Sequence, residues 1–273
     1  MYIDYEVSDR IATITLNRPE AANAQNPELL DELDAAWTRA AEDNEVGVIV
    51  LRANGKHFSA GHDLRGGGPV PDKITLEFII QHEAKRYLEY TLRWRNVPKP
   101  SIAAVQGRCI SGGLLLCWPC DLIIAADDAQ FSDPVVLMGI GGVEYHGHTW
   151  ELGPRKAKEI LFTGRSMSAE EVAATGMVNK VVPRDQLDAE TRALAEQIAK
   201  MPPFALRQAK RAVNQTLDVQ GFYAAIQSVF DVHQTGHGNA LSESGLPILM
   251  LLDDMKSEIA KPNGSTVTEG AKA

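Results

Sequence analysis

Two glycine-containing turns, each downstream of an apolar run, have the residue types of a site that binds an anion through its backbone. The first is Ala60-Gly61-His62-Asp63, which comes after the apolar run at 46–51. The second is Ser111-Gly112-Gly113, which comes after SIAAV at 101–105 and opens a helical pattern. Glycine lets the backbone approach a ligand closely, and the N–H groups at a helix start have no intrahelical partner. Two N–H groups, one from each turn, would together stabilise an oxyanion. The alternative interpretation is that both segments are ordinary tight turns.

A second group of reactive side chains lies in the run MGIGGVEYHGHTWELG. Five residues there can exchange a proton or accept a hydrogen bond: Glu144, Tyr145, His146, His148 and Glu151. The spacing Glu144-x3-His148 provides only two metal ligands, and His233-x3-His237 is a pair of the same kind. The stretch FDVHQTGHGN around the second pair is typical of a helix end with a glycine stop. We therefore expect no metal.

The elements that must position these residues alternate between strand and helix. Alternation at 2–7 and 10–16 predicts a strand pair, and short apolar runs predict buried strands at 46–51, 101–105 and 122–126. Helical spacing occupies 29–40 and 74–95, and the chain is mostly helical after about residue 155, with two helices at 204–214 and 220–232. Strand, helix and strand in repetition predict an α/β fold with parallel pairing.

Composition excludes several classes of function. The chain has 273 residues and a net charge of −9, which disfavours nucleic acid as a partner. The most apolar window, 109–126, is interrupted by Pro119 and Asp121, so we expect no membrane span. The first ten residues lack the pattern of a secretory signal. Three cysteines suit a reducing compartment, and the cytoplasm is the expected location.

Several separated segments, in order along the chain, resemble the crotonase or enoyl-CoA hydratase/isomerase superfamily. They are NRPEAANAQNPELLDEL, FSAGHDL, VQGRCISGG, CDLIIAADDAQFSDP and LFTGRSMSAEEVAATGMVNKVV. The resemblance implies a crotonase-like spiral of ββα repeats at 1–200 and a C-terminal helical trimerisation region at 201–261. We expect a disordered tail at 262–273. The resemblance further implies that the protein assembles as a homotrimer or a dimer of trimers.

The resemblance also implies the roles of individual residues. The oxyanion N–H groups fall on His62 and Gly112, so the imidazole of His62 need not be catalytic. The coenzyme A moiety of an acyl-CoA substrate would follow Glu20, Ala21, Ala22, Ala60 and Leu64, and Asp63 would hold the turn. No cofactor other than the substrate's own coenzyme A is implied.

Both glutamates that hydratases of this superfamily use are replaced in this chain. Leu115 stands three residues after Gly112, and Val135 follows the proline of AQFSDP. Neither side chain can transfer a proton. Glu144 is the first candidate for a substitute, followed by Tyr145 and His148. Alternatively, Tyr145, His148 and Trp150 pack the loop against a neighbouring subunit and Glu144 is solvated.

The functional prediction is an enoyl-CoA hydratase-like lyase of fatty acid metabolism. One alternative is a methylmalonyl-CoA decarboxylase-like reaction, which needs the oxyanion hole more than paired carboxylates. Other reactions of the same fold, such as thioester hydrolysis, are also open. The last alternative is a non-catalytic protein that binds acyl-CoA.

Overall fold

The computed structural model describes residues 1–64 and 74–249. The run Gly66-Gly67-Gly68-Pro69, which is typical of a loop, lies outside these residues, as does the disordered tail expected at 262–273. Among the helices of the described ranges, none has the length and apolar character needed to cross a membrane.

The larger of two sheets contains six strands. They are β1 (Ile3–Ser8), β2 (Ile11–Leu16), β3 (Val48–Ala53), β4 (Ser101–Val105), β6 (Leu122–Ala126) and β9 (Lys180–Val182). Their spatial order is β1-β2-β3-β4-β6-β9, with β1 and β2 antiparallel and the other neighbours parallel. The apolar runs predicted as strands thus form the sheet, because the parallel strands are buried on both faces.

The smaller sheet contains β5 (Arg108–Ile110), β7 (Gln130–Ser132) and β8 (Met167–Ser168). The chain alternates between the sheets, since β4 and β6 belong to the larger one and β5 and β7, which follow them, to the smaller. This alternation is the expected spiral of an α/β fold, and it is confirmed.

Ten α-helices are seen in the two described ranges. They are α1 (Pro27–Glu42), α2 (Leu76–Glu83), α3 (Tyr90–Arg95), α4 (Leu114–Cys117), α5 (His148–Leu152), α6 (Pro154–Thr163), α7 (Ala169–Ala173), α8 (Leu187–Ala199), α9 (Pro203–Val219) and α10 (Phe222–Ser244). A π-helical segment at Ala84–Glu89 joins α2 to α3. Segments of this kind are frequent at functional sites.

The predicted helix end near residue 236 is wrong. Helix α10 continues through Gly236 and Gly238 to Ser244. A Cβ atom at Gly236 would lie 2.8 Å from the carbonyl oxygen of Gly139 and 3.0 Å from the Ile140 side chain. The glycine therefore allows the helix to approach the loop after β7 closely and does not end it.

The three cysteines, Cys109, Cys117 and Cys120, are buried and free. Burial raises the pKa of the Cys117 and Cys120 thiols well above the usual value. They therefore act as apolar packing residues, as is common for buried cysteines.

Candidate active site

The two glycine turns are brought together because the chain after β3 runs parallel to β5. Ser59 forms a bridge with Cys109, in which the Ser59 N–H donates to the Arg108 carbonyl and the Ile110 N–H donates to the Ser59 carbonyl. Gly61, two residues after Ser59, and Gly112, three residues after Cys109, lie side by side. A Cβ atom at Gly61, where φ is +87°, would lie 2.7 Å from the Ile110 carbonyl oxygen and 3.2 Å from the Gly112 nitrogen.

Gln25 holds both turns from the other side. Its N–H donates to the Gly61 carbonyl at 2.8 Å, and its carbonyl accepts from the Asp63 N–H at 3.0 Å. Its buried side-chain amide donates to the Gly112 carbonyl at 2.7 Å. One residue therefore fixes the distance between the turns. Reasoning from the sequence missed Gln25, whose only signal was its position within the NRPEAANAQNP segment.

The backbone N–H groups of His62 and Gly112 are the donors that this arrangement leaves available. Within 1–64 and 74–249, neither N–H donates a hydrogen bond to the protein. Gly112 lies in the 3₁₀ turn Ser111–Gly113 that leads into α4, so its N–H belongs to the start of a helical segment. Two unpaired N–H groups on adjacent turns are the arrangement that stabilises an oxyanion.

The His62 imidazole lies beside the same turns and is held by Glu144. Its Nε2 atom is 3.0 Å from Oε1 and 3.2 Å from Oε2 of Glu144. Its Nδ1 atom is buried and has no hydrogen-bond partner in the described part of the chain. A Cβ atom at Gly112 would lie 2.7 Å from Cε1 and 2.8 Å from Nδ1 of this ring. The free ring nitrogen therefore lies against the Gly112 turn.

The Glu144 side chain is only 2% exposed. The alternative in which Glu144 is solvated is therefore wrong. The two residues before it are fixed by hydrogen bonds: the Val143 N–H donates to Asp133, and the Gly142 carbonyl accepts from His233.

Tyr87, in the π-helical segment, packs against the imidazole of His62. Its ring centroid lies 3.8 Å from that of His62. Burial raises the pKa of Tyr87 well above the usual value, and the charge of Glu144 raises it further. Tyr87 is therefore a neutral phenol that covers the imidazole. No sequence signal distinguished it within the helical pattern at 74–95.

Tyr145 and His148, the other two candidates, have different neighbours. The Tyr145 ring packs edge-on against Phe222, and burial raises its pKa far above the usual value. Nε2 of His148 lies 3.0 Å from Oδ2 of the buried Asp133, and the His148 ring packs against Trp118. Glu144 and His148 thus face separate partners, His62 and Asp133, and do not form a chelating pair.

The residues expected along the coenzyme A path form one patch of surface beside the turns. Glu20 and Ala21 lie in a 3₁₀ turn, and the Ala60 N–H donates to the Ala22 carbonyl at 2.9 Å. Leu64 is exposed. Nη1 of Arg18 lies 2.6 Å from Oδ2 of Asp63 and also donates to the Ala24 carbonyl. Asp63 is therefore tied to the segment before α1, and its role in holding the turn stays a prediction.

Comparisons with known proteins agree with this architecture. The family model for enoyl-CoA hydratase/isomerase matches residues 6–244. EchA13 of Mycobacterium tuberculosis, whose name describes an enoyl-CoA hydratase, is 46% identical over 258 residues, covering 87% of this chain and 81% of that protein. A crystal structure of a probable enoyl-CoA hydratase from Mycobacterium thermoresistibile is 89% identical, with a TM-score of 0.89 over 91% of this chain and 99% of that one.

A second crystal structure, of a probable enoyl-CoA hydratase from Mycobacterium smegmatis, is 85% identical and superimposes with a TM-score of 0.88. It covers 91% of this chain and 99% of that one. The family match, the curated relative and both structures extend over most of the chain, from the first sheet to the C-terminal helices. The chain therefore belongs to the enoyl-CoA hydratase/isomerase family.

Proposed function

We propose that the protein is an enoyl-CoA hydratase-like lyase that uses His62 and Glu144 in place of the two missing glutamates. The observation that carries this proposal is the buried Glu144 carboxylate 3.0 Å from Nε2 of His62, with Nδ1 of the same ring unpartnered beside Gly112. A carboxylate at one ring nitrogen fixes the tautomer and leaves the other nitrogen as a base. This assigns the imidazole a role beyond the backbone role expected from the sequence.

In the proposed reaction, the thioester oxygen of the enoyl-CoA accepts hydrogen bonds from the N–H groups of His62 and Gly112. Nδ1 of His62 removes a proton from water, and the water oxygen bonds to the β-carbon. The electron pair of the double bond moves to the thioester, whose enolate the two N–H groups stabilise. The Glu144 carboxylate stabilises the imidazolium, which then returns its proton to the α-carbon, so that one water is added in total.

Leu115 and Val135 support this assignment, because both lie in apolar surroundings. Leu115 is 1% exposed within the hydrophobic core, and Val135 packs with Met138 and Ile140. A water molecule activated at either position would have no polar partner from that side chain. Tyr145 and His148 remain predictions as catalytic residues, and we assign neither a step because their side chains contact Phe222 and Asp133.

The decarboxylase alternative uses the same N–H groups without a base. Release of CO₂ from a malonyl-type thioester leaves an enolate that His62 N–H and Gly112 N–H would stabilise equally well. The Glu144 carboxylate disfavours it, since a buried negative charge beside the site repels a substrate carboxylate.

The test is incubation of the purified protein with enoyl-, malonyl- and β-ketoacyl-CoA thioesters, followed by mass spectrometry of the products. Gain of one water on an enoyl-CoA is the expected result, and the variant His62→Gln, which keeps the backbone N–H, should lose it. Loss of CO₂, cleavage of the thioester, or binding without turnover would each contradict the hydratase assignment. Hydration that survives in His62→Gln would exclude the imidazole as the base.

We also propose that the protein assembles as a homotrimer or a dimer of trimers. The helical region from α6 onward exposes large apolar side chains, including Phe162 (75% exposed), Phe204 (69%) and Val219 (90%). Exposed apolar groups of this size are typical of surfaces that are covered by another chain. Light scattering coupled to size-exclusion chromatography tests this, and a monomer at micromolar concentration would contradict it.

A further inference from the structure

A cluster of three buried residues lies next to the His62–Glu144 pair. Glu83 ends α2, and His233 and His237 lie one turn apart on α10. Nε2 of His233 is 3.2 Å from Oε2 of Glu83, and Nε2 of His237 is 3.3 Å from Oε1 of Glu83. The two Nε2 atoms are 3.2 Å from each other. The two ring nitrogens and the Glu83 carboxylate, which offers a different oxygen to each ring, therefore lie close enough together to be candidate ligands of one ion.

The Nδ1 atom of each ring forms a hydrogen bond with a backbone carbonyl. Nδ1 of His233 lies 2.6 Å from the Gly142 carbonyl oxygen, and Nδ1 of His237 lies 2.6 Å from the Pro247 carbonyl oxygen. A carbonyl only accepts, so both Nδ1 atoms carry the proton. In neutral rings, both Nε2 lone pairs then point inward, toward each other and the Glu83 carboxylate. Such an arrangement repels itself unless a positive charge lies between the three groups.

We propose that Glu83, His233 and His237 bind one divalent transition-metal cation, with zinc as the best match. Zinc–nitrogen and zinc–oxygen bonds of about 2.1 Å at angles between octahedral and tetrahedral values separate ligand atoms by about 3.0–3.4 Å. The observed separations of 3.2 and 3.3 Å lie within that range. Two histidines four residues apart on a helix are a known arrangement for zinc.

Hydrogen bonds from neighbouring groups orient the three proposed ligands, as they do in known metal sites. The Gln234 side-chain amide donates to Oε2 of Glu83 at 2.7 Å, while the two backbone carbonyls orient the rings. Such outer contacts fix the tautomer and direction of the ligating atoms. Glu83, His233, Gln234 and His237 are all buried, so the proposed ion is shielded from solvent. Two protein nitrogens and a carboxylate leave a fourth position for water or for Glu144.

The site adjoins the proposed active site without depending on it. Nε2 of His233 lies 3.7 Å from Oε1 of Glu144, the same oxygen that lies 3.0 Å from Nε2 of His62. The sequence predicted no metal because the pair His233 and His237 lacked a third ligand, and Glu83 is 150 residues away from His233 along the chain. Only the packing of α2 against α10 brings the three together.

The test measures metal binding by the untagged full-length protein. After dialysis against a chelator and then metal-free buffer, Co²⁺ is titrated and followed by its visible absorption, with Zn²⁺ as the competitor. We expect one Co²⁺ per chain, displaced by one Zn²⁺. The variants Glu83→Gln and His237→Gln should abolish the absorption, and Gln234→Leu should weaken binding about 10–100-fold.

Matched controls come from the same helix, since His82→Gln and Glu77→Gln change a histidine and a glutamate of α2 outside the cluster. Both should bind Co²⁺ as the wild type does. Substoichiometric binding by the wild type would overturn the proposal and leave a proton as the shared charge. Equal binding by all variants would also overturn it. The wild-type titration alone decides the matter if a cluster variant fails to fold.

Discussion

Oε1 of Glu144 lies 3.0 Å from Nε2 of His62, and Oε2 lies 3.2 Å from the same nitrogen. The Glu144 side chain is buried, so a charge on it would be screened little by solvent. One residue, His62, thereby presents two groups to the same space: a backbone N–H and a side-chain nitrogen. The first would stabilise charge on the substrate, and the second would move a proton.

Glu144→Gln should lower kcat for hydration about 10²–10⁴-fold, because the amide keeps the side chain's size but not its charge. KM should change little, since Glu144 is proposed to act on His62 and not on the coenzyme A moiety. Steady-state kinetics with an enoyl-CoA measure both constants. Glu170→Gln, at an exposed position of α7, is the control and should retain wild-type kinetics. An unchanged kcat in Glu144→Gln would remove that residue from the mechanism.

Gly112→Ala should lower kcat about 10²–10³-fold, the usual effect of losing one oxyanion donor. The added Cβ would lie 2.7 Å from the His62 ring and 2.9 Å from Oε1 of Gln25, so the two turns must move apart. Gly141→Ala is a matched control, because its Cβ would meet nothing within 4 Å in the described residues. Circular dichroism verifies folding. Wild-type activity in Gly112→Ala would mean that the turn tolerates this movement.

Two glycines of α10 should respond oppositely to alanine. Gly238→Ala should raise the free energy of unfolding by up to about 1 kcal/mol, because alanine favours a helix and its Cβ makes only an ordinary 3.4 Å contact with Leu76. Gly236→Ala should lower it by about 1–3 kcal/mol, because its Cβ would lie 2.8 Å from the Gly139 carbonyl oxygen. Urea unfolding of both variants measures this. Equal changes would show that close helix–loop packing is not the reason for Gly236.

Glu151→Gln should stabilise the protein at alkaline pH and not at acidic pH. Burial raises the pKa of Glu151 to about 7 in the folded state, above the ordinary value of 4.5. Its contribution to stability is therefore full below pH 4.5 and is lost as pH rises through 7. Glutamine cannot ionise, so the variant should gain about 1–3 kcal/mol over the wild type at pH 8.

Unfolding midpoints at pH 4.5 and pH 8 check this prediction. Glu170→Gln, whose side chain is exposed, should give the same difference from the wild type at both values. A difference for Glu151→Gln that does not grow with pH would mean that the Glu151 carboxyl is well solvated in solution.

The sequence was sufficient where local pattern and burial agree. The runs at 101–105 and 122–126 are strands, and all of their residues except the half-buried Leu122 are buried. Gly236 was misread as a helix end, because its role depends on Gly139 and Ile140, which lie in a loop far earlier in the chain. The sequence could not predict the pairing of Glu144 with His62 or the contact of Tyr87 with His62. Both arise from packing between segments that share no periodic pattern.

The bridge between Ser59 and Cys109 attaches the two turns to the smaller sheet, whereas Glu144 lies in a loop outside that sheet. The turns carrying His62 and Gly112 are an extension of the smaller sheet and are further fixed by Gln25. Glu144 comes from an irregular loop anchored at its own neighbours, Gly142 and Val143. A change in the loop that carries Glu144 would therefore leave the relative position of the two turns unaltered. In this chain, Leu115 and Val135 are aliphatic, and under the proposed function the carboxylate would come from the separate loop that carries Glu144, without any change in the sheet that positions the two turns.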